Sequence, residues 1–434
     1  MQATNLKVRQ AAVVGLLFMY IFINFADKAV LGIVAVPMMR ELHLTPAQFG
    51  MVGSSFFLLY SVSGIGFGFL ADRLKTKTLL TLLALIWALS QFPIAWWPSV
   101  TVLIACRVLL GVGEGPAFPL AVHAAYKWFP DKRRNVITAV LAQGGPTGFV
   151  VAAPILTLIT VNFGWRTAFV VLGAAGLVWP ILWFFIGAEG QHDKSVLQES
   201  AQLGANECGK IPYRRLLLDR TMIGTMIAGF AAYWILVMGF TWLPPYVHIG
   251  LGYSMVNTGW LVSVIMACSI PLQLGTAWFS QRCLKKGISS RVARGSIFGG
   301  FVVFGGLFIS TAVTFELVPF IRIIFLGLGC TLPLVAFSIG PAIIGEISPS
   351  SQRGALLSVN ISVMTSAGLF APSVTGWIVQ TAPTPALGYM YGYLCAAGIL
   401  ILGGLISLVS IDPAGSRANL LGSRPIDTKL AFHE

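Results

Sequence analysis

Residues 11–37, AAVVGLLFMYIFINFADKAVLGIVAVP, are apolar almost throughout, and the charges that interrupt them are Asp27 and Lys28. A hydrocarbon core of about 30 Å is crossed by roughly 20 apolar residues in a helix, so this run is long enough to span a bilayer. A charged side chain at the bilayer centre costs about 2.5–3.5 kcal/mol on insertion scales, and such residues usually face an internal cavity and act there. Residues 100–122, VTVLIACRVLLGVGEGPAFPLAV, repeat the pattern with Arg107 and Glu114. Two opposite pairs of charge inside membrane spans are the expected working parts of a carrier.

Composition points the same way. The chain has 434 residues, 56% hydrophobic and 10% charged, with mean hydropathy +0.82. Soluble domains average roughly 25% charged residues, so this is the composition of an integral membrane protein. Met1 to Gln10 form a short basic tail leading directly into the first apolar run, which is therefore expected to insert and remain. The net charge of +13 raises nucleic acid as a partner. The basic residues cluster in alternate loops, as membrane topology requires, and no nucleic-acid role is expected. Cys106, Cys208, Cys268, Cys283, Cys330 and Cys395 are scattered without a CxxC pair and read as small apolar filler. The histidines show no metal-ligand spacing, and no metal or other cofactor is expected.

Twelve apolar runs lie near 11–36, 50–71, 78–97, 100–122, 135–160, 167–187, 222–245, 257–279, 294–314, 318–343, 354–379 and 386–410. Of the 28 basic residues, 23 fall on one side of this arrangement. They include Lys7 and Arg9 before the first run, Arg73, Lys75 and Lys77 after the second, and Lys127, Lys132, Arg133 and Arg134 after the fourth. The opposite connections hold Arg40 and Arg166. Cytoplasmic loops carry the excess of Lys and Arg, so both termini are expected in the cytoplasm, in a multi-pass protein of the cell membrane, of bacterial inner-membrane type. The polar stretch 188–220 reads as a cytoplasmic linker between an N-terminal six-helix bundle (1–187) and a C-terminal one (221–412), with a cytoplasmic tail at 413–434.

The two halves echo each other. Arg107 is followed by Gly111 and Gly113, and its run exits through Trp128-Phe129-Pro130 to Arg134; Arg322 is followed by Gly327 and Gly329 and exits through Ile347-Ser348-Pro349 to Arg353. GFLADRLKTK (68–77) has a counterpart in AWFSQRCLKKG (277–287). Related six-helix halves are the sequence sign of a carrier with a midplane site at their interface. The chemistry is unequal, because Cys330 stands where Glu114 has its counterpart.

These features resemble the major facilitator superfamily, GFLADRLKTK its cytoplasmic loop motif and RVLLGVGEG (107–115) its fourth-span motif. Lys75 stands where a glycine is usual. NFADK (24–28), RVLLGVGEGPAFP (107–119) with YKWFPDKRR (126–134), and TWLPPYV (241–247) are similar to segments of its anion:cation symporter family. The resemblance implies proton- or sodium-driven uptake of organic anions such as sugar acids or aromatic carboxylates. It places the protonatable carboxylates at Asp27 and Glu114, the anion-binding cations at Lys28 and Arg107, and a pocket tyrosine at Tyr60. Lys28 stands where arginine is more usual; an ammonium binds as a point charge, a guanidinium as a planar fork. By the same resemblance Asp72, beside Arg73, helps hold the halves together on the inside during one state of the cycle.

Helix geometry constrains these roles. Arg107 and Glu114 are two turns apart, on one face and about 10 Å apart along the axis, too far for a direct pair. An anion could sit against Arg107 while Glu114 gains or loses a proton below it. Asp27 and Lys28 point about 100° apart. A static charge network locking the first and fourth helices is the structural alternative. In the second half Tyr233, Trp234, Phe240, Trp242, Asn360 and Ser362 are candidate substrate contacts, with packing or lipid contact as the alternative. The expectation is an all-α protein of twelve transmembrane helices that acts as a functional monomer and carries a small organic anion with a proton. Antiport, sodium coupling or facilitated passage stay open, and a membrane enzyme lacks a nucleophile, metal cluster or cofactor motif.

Overall fold

The computed structural model describes residues 2–71, 73–188, 190 and 211–421. Among them, twelve helices are long and apolar enough to cross a membrane: α1 Val8–Glu41, α2 Pro46–Phe67, α3 Thr76–Trp96, α4 Val100–Tyr126, α5 Val136–Phe163, α6 Trp165–Ile186, α7 Arg220–Thr241, α8 Met255–Lys285, α9 Arg291–Thr314, α10 Pro319–Ile347, α11 Gln352–Thr381 and α12 Pro385–Ser410. The expected all-α architecture is therefore the one observed. An even number of crossings puts both ends of the bundle on one side, here called the terminal face; the other is the far face. Much of the expected linker (191–210), Asp72 and residues 422–434 lie outside the described residues.

Several helices outrun their apolar stretches. α8 continues to Lys285 and ends on Arg282 and Lys285, cations that complement the negative end of the helix dipole. On the far face α2, α4, α8 and α12 start from hydroxyl N-caps, Thr45, Ser99, Ser254 and Thr384, each accepting from a backbone N–H three residues on. Exposed aromatics ring both ends: Trp96, Trp97, Phe163 and Trp377 towards the far face, Phe184, Phe185 and Trp278 towards the terminal face. The tryptophans among them have the amphipathic ring that favours the level of the lipid headgroups.

The packing repeats with a period of six helices. In the first half α1 packs on α5 and α6, and α3 on α4 and α6; in the second α7 packs on α11 and α12, and α9 on α10 and α12. The cores differ in their aromatic filling. Tyr20 lies between Trp87 and Trp179, with ring centroids 4.5 Å from each, whereas Tyr246 lies against Tyr393 at 4.8 Å. On the terminal face, residues around the bundle join the second half. Gln352 brackets Ile211 with two hydrogen bonds of 3.0 and 2.7 Å, Leu216 packs with Met222, Ile344, Ile347 and Leu356, and Thr221 meets Ser416 of the short helix Pro413–Leu421 at 2.7 Å.

The halves meet through α2 with α11 and α5 with α8, and through α1 with α7. Among the described residues, every hydrogen bond between them lies at or beyond the middle of the membrane towards the far face. Ser54 and Ser373 are joined at 2.8 Å, Ser61 and Thr365 at 2.7 Å, Ser263 donates to the Val150 carbonyl at 2.6 Å, and Ala47 N–H to Gln380 at 3.2 Å. Backbones touch there as well: a Cβ on Gly50 would lie 2.4 Å from the Pro372 carbonyl oxygen, and one on Gly376 2.3 Å from that of Pro46. Small residues permit this approach. The far face is thus clamped by neutral groups. A Ser54→Cys, Ser373→Cys double variant is expected to cross-link under mild oxidation, with mass spectrometry recovering the linked peptides. Absence of the link while both thiols remain reactive would show that this clamp does not form.

Candidate functional site

Two helices break at the same depth and so build the site. α2 is helical over Pro46–Ser55, turns through residues 56–59 and resumes at Tyr60–Ala71; α4 is helical over Val100–Glu114 and resumes at Ala117–Tyr126. Pro116 accounts for the break in α4, since proline lacks an N–H and its ring clashes with the preceding turn. The loosened segment of α2 lies directly on α4. A Cβ on Gly111 would come within 1.9 Å of the Phe56 carbonyl oxygen, and one on Gly115 within 2.0 Å of that of Tyr60, so neither position accepts a side chain without moving backbone. Ser63 donates to the Tyr60 carbonyl at 2.9 Å. Phe56 and Tyr60 are thereby fixed beside the α4 face that carries Arg107 and Glu114.

All four intramembrane charges are removed from water: Asp27 is 0%, Glu114 1%, Arg107 3% and Lys28 5% exposed. Lys28 is fully engaged. Its Nζ donates to Glu114 Oε2, to Asn24 Oδ1 at 2.6 Å and to the Asn24 carbonyl at 3.3 Å, which uses all three ammonium protons. The Phe25 and Phe56 rings lie 4.8 and 5.5 Å from it. Arg107 shares the Phe56 ring, its Cζ 5.1 Å from the centroid. It donates no hydrogen bond to any described residue, and its Nε and Nη1 are buried without partners. Glu114 Oε1 and both oxygens of Asp27 likewise lack a well-formed hydrogen bond. Asp27 turns towards the buried amide of Gln91 on α3, within electrostatic reach of Glu114, Lys28 and Arg107.

Leaving a buried polar group unmade costs about 1–3 kcal/mol, more for a charged one. The cluster thus holds an unpartnered guanidinium together with two carboxylates that have spare acceptor capacity, the donor and acceptor set that a ligand could complete. It can receive a planar anion at Arg107 and hold or pass protons at Glu114 and Asp27.

The structure gathers six of the residues singled out from the sequence. Lys28 and Glu114 pair directly, whereas Arg107 and Glu114 do not, in keeping with their separation along α4. Tyr60 lies 5.3 Å from Phe56 and 5.8 Å from Lys28; Tyr233 reaches across from α7 to Phe57 at 6.0 Å. Asp27 completes the group. Trp234 and Asn360 do not touch it: Trp234 packs on Phe230 with an unpartnered indole N–H, and Asn360 turns its amide to Met364 Sδ at 3.2 Å. Arg73 is exposed on the terminal face, away from the site. Sequence reasoning missed Asn24, Phe25, Phe56 and Gln91. The spacing of Asn24 four residues before Lys28 was a readable signal; the rings of Phe25 and Phe56 had none among 29 phenylalanines.

A family model described as Major Facilitator Superfamily matches residues 16–339. A probable sulfoacetate transporter of Cupriavidus necator is 28% identical, over 94% of this chain and 96% of that one. A hexuronate transporter of Bacillus subtilis is 27% identical over 94% and 97%, and a probable galactarate/D-glucarate transporter of the same species 27% over 92% and 91%. Among solved structures, an inward-facing, occupied bacterial homolog of the human lysosomal transporter Spinster superposes with TM-score 0.77 at 15% identity, covering 92% of this chain and 96% of that one. A D-xylose-proton symporter gives 0.75 at 14%, covering 93% and 98%; these two likenesses speak to the fold.

The Lys28–Glu114 contact makes a stability prediction. Removing one member of a buried pair strands the other, at a cost of about 3–5 kcal/mol. Lys28→Met should lower thermal stability in detergent by that order, and Lys28→Met with Glu114→Gln should recover most of it. Equal losses in the single and double variants would show that the pair is not what stabilises this region.

Proposed function

The chain belongs to the Major Facilitator Superfamily and is a transport protein rather than an enzyme, and on that premise we propose that it carries a small organic anion across the membrane together with a proton, by alternating access. The observation that carries this reading is Arg107, a buried guanidinium without a partner beside the Lys28–Glu114 pair. The relatives support the substrate class, since the three described above are a probable sulfoacetate transporter, a hexuronate transporter and a probable galactarate/D-glucarate transporter, all for small organic acids.

The proposed cycle follows from charge balance. Asp27, Lys28, Arg107 and Glu114 sum to zero when all are ionised. An anion entering at Arg107 brings a negative charge into a desolvated space, and a proton taken up by Glu114 offsets it. Glu114 then releases its hold on Lys28, whose ammonium becomes a second contact for the anion. Departure of substrate and proton restores the pair. Asp27, against Gln91, is the proposed second proton station. Tyr60 and Tyr233 are proposed to line the passage on either side of the interface, with Trp234 and Asn360 reached when the halves move. Opening the far face requires the Ser54–Ser373 and Ser263–Val150 contacts to part, and Asp72 with Arg73 is the proposed terminal-face latch of that opposite state. The excess of Lys and Arg supports a cytoplasmic terminal face, and a single six-plus-six bundle is the proposed functional unit.

In proteoliposomes, Arg107→Ala should abolish binding of the transported acid, and Arg107→Lys should restore part of it, since the planar fork is lost. Glu114→Gln mimics the protonated carboxyl, so it should exchange substrate across the membrane without accumulating it against a gradient. One proton moving with a monoanion is electroneutral; each uncompensated charge would gain about 2.3 kcal/mol per 100 mV. Full proton-driven accumulation by both Glu114→Gln and Asp27→Asn would overturn the proton coupling and leave a sodium-coupled or facilitated carrier.

A further inference from the structure

Two aromatic walls leave the cations and include rings of both halves, the first ending in the second half and the second passing over Phe240 of α7 back to α5. The first runs from Phe56, which faces both Lys28 and Arg107, through Phe57 at 4.8 Å to Tyr233 at 6.0 Å and on to Phe337 at 6.1 Å. The second runs from Phe25 beneath Lys28 to Phe240 at 6.3 Å and Phe149 at 5.3 Å. The cations sit where both walls begin, at Phe56 and Phe25 of the first half. Facing them, the second half is electrically neutral: in α7 to α12 every Asp, Glu, Lys and Arg lies in the terminal turns, as with Arg220, Arg282, Arg322, Glu346 and Arg353. The first wall offers polar groups at the Tyr60 and Tyr233 hydroxyls, neither of which makes a hydrogen bond with a described residue.

We infer, resting on the organic-anion reading above, that the substrate is a monoanion with a flat aromatic body: its carboxylate meets Arg107 and its ring lies between the walls that end at Phe337 and Phe149. The charge count fixes the first part. Arg107 is the buried cation without a partner, so one anionic group is matched. A second carboxylate at the other end of the molecule would face Tyr233 and Phe337 with no cation to receive it, and an unpaired buried charge is costly. The wall chemistry fixes the second part. Ring faces and edges stack favourably with a planar ring, whereas a polyhydroxylated chain would need a partner for each hydroxyl, and the cost of burying hydroxyls without hydrogen bonds accumulates along the chain.

Four acids separate these two claims: benzoate (monoanion, aromatic), terephthalate (dianion, aromatic), glucuronate (monoanion, polyol) and galactarate (dianion, polyol). Binding to the purified full-length carrier is measured by calorimetry, with Arg107→Ala as control for partition into detergent. Benzoate should bind tightest, terephthalate and glucuronate each about tenfold or more weaker, a loss equivalent to roughly 1.4 kcal/mol, and galactarate weakest. Benzoate binding should disappear in Arg107→Ala; its persistence there would overturn the assignment. Terephthalate binding as tightly as benzoate refutes the single-charge claim, and glucuronate doing so refutes the aromatic one, while either result leaves the organic-anion reading standing. Failure of all four to bind would sink both. Tyr233→Arg, which adds a cation to the second-half end of the wall, should raise terephthalate relative to benzoate. If that variant does not fold, the four-acid order on the unmodified protein still decides.

Discussion

An ammonium and a carboxylate carried into a membrane interior stay charged only if they meet each other, and the contact between Lys28 and Glu114 is the meeting on which the site depends. It ties α1 to α4 at the depth where α4 loses its regular hydrogen bonds, after Glu114. It also explains why α2 must approach so closely. The ammonium needs Asn24 and ring faces to replace the rest of its hydration, and the Phe56 ring reaches it because Gly111 and Gly115 let the α2 backbone lie on α4.

The same contact sets Arg107 apart. Two cations share the Phe56 ring, and one of them has a carboxylate while the other has none. If the four charges formed merely a static lock between α1 and α4, Arg107 would be expected to pair with Asp27 of α1, which lies within electrostatic reach. Its unused donors are the specific objection to that alternative.

Much of this could be read from the sequence, for identifiable reasons. Twelve spans follow from hydropathy because the bilayer demands length and internal hydrogen bonding of every crossing segment. The charged residues announced themselves through their cost in apolar surroundings. What the sequence hid was pairing. Helix spacing excludes Arg107 with Glu114, but it cannot tell that Lys28, 86 residues earlier, takes that carboxylate instead. The break in α2 was hidden too, because SSFFLLY (54–60) contains neither glycine nor proline; its cause is tertiary, the fit of its carbonyls against the α4 glycines. Trp234 and Asn360, chosen for polarity within apolar spans, turn out to pack away from the charges, an outcome that residue type alone does not decide.

The division of labour between the halves bears on how such a molecule can move. The charge network lies wholly within the first half, on α1 and α4, with Gln91 of α3 behind it. The interface between halves is made of different material: serine and threonine hydroxyls, backbone carbonyls over glycine, and aromatic edges. A neutral hydrogen bond contributes a net of about 0.5–1.5 kcal/mol, because water replaces the lost partner when the groups separate. Parting the clamp therefore costs little per contact, whereas parting a buried ion pair would strand two charges. Keeping the ions inside one rigid half and closing the other side with exchangeable neutral groups lets the halves separate without disturbing Lys28 and Glu114. In the cycle proposed above, the pair is broken by a proton or an anion arriving at it rather than by the motion itself, which is what occupancy of the site would need in order to govern movement.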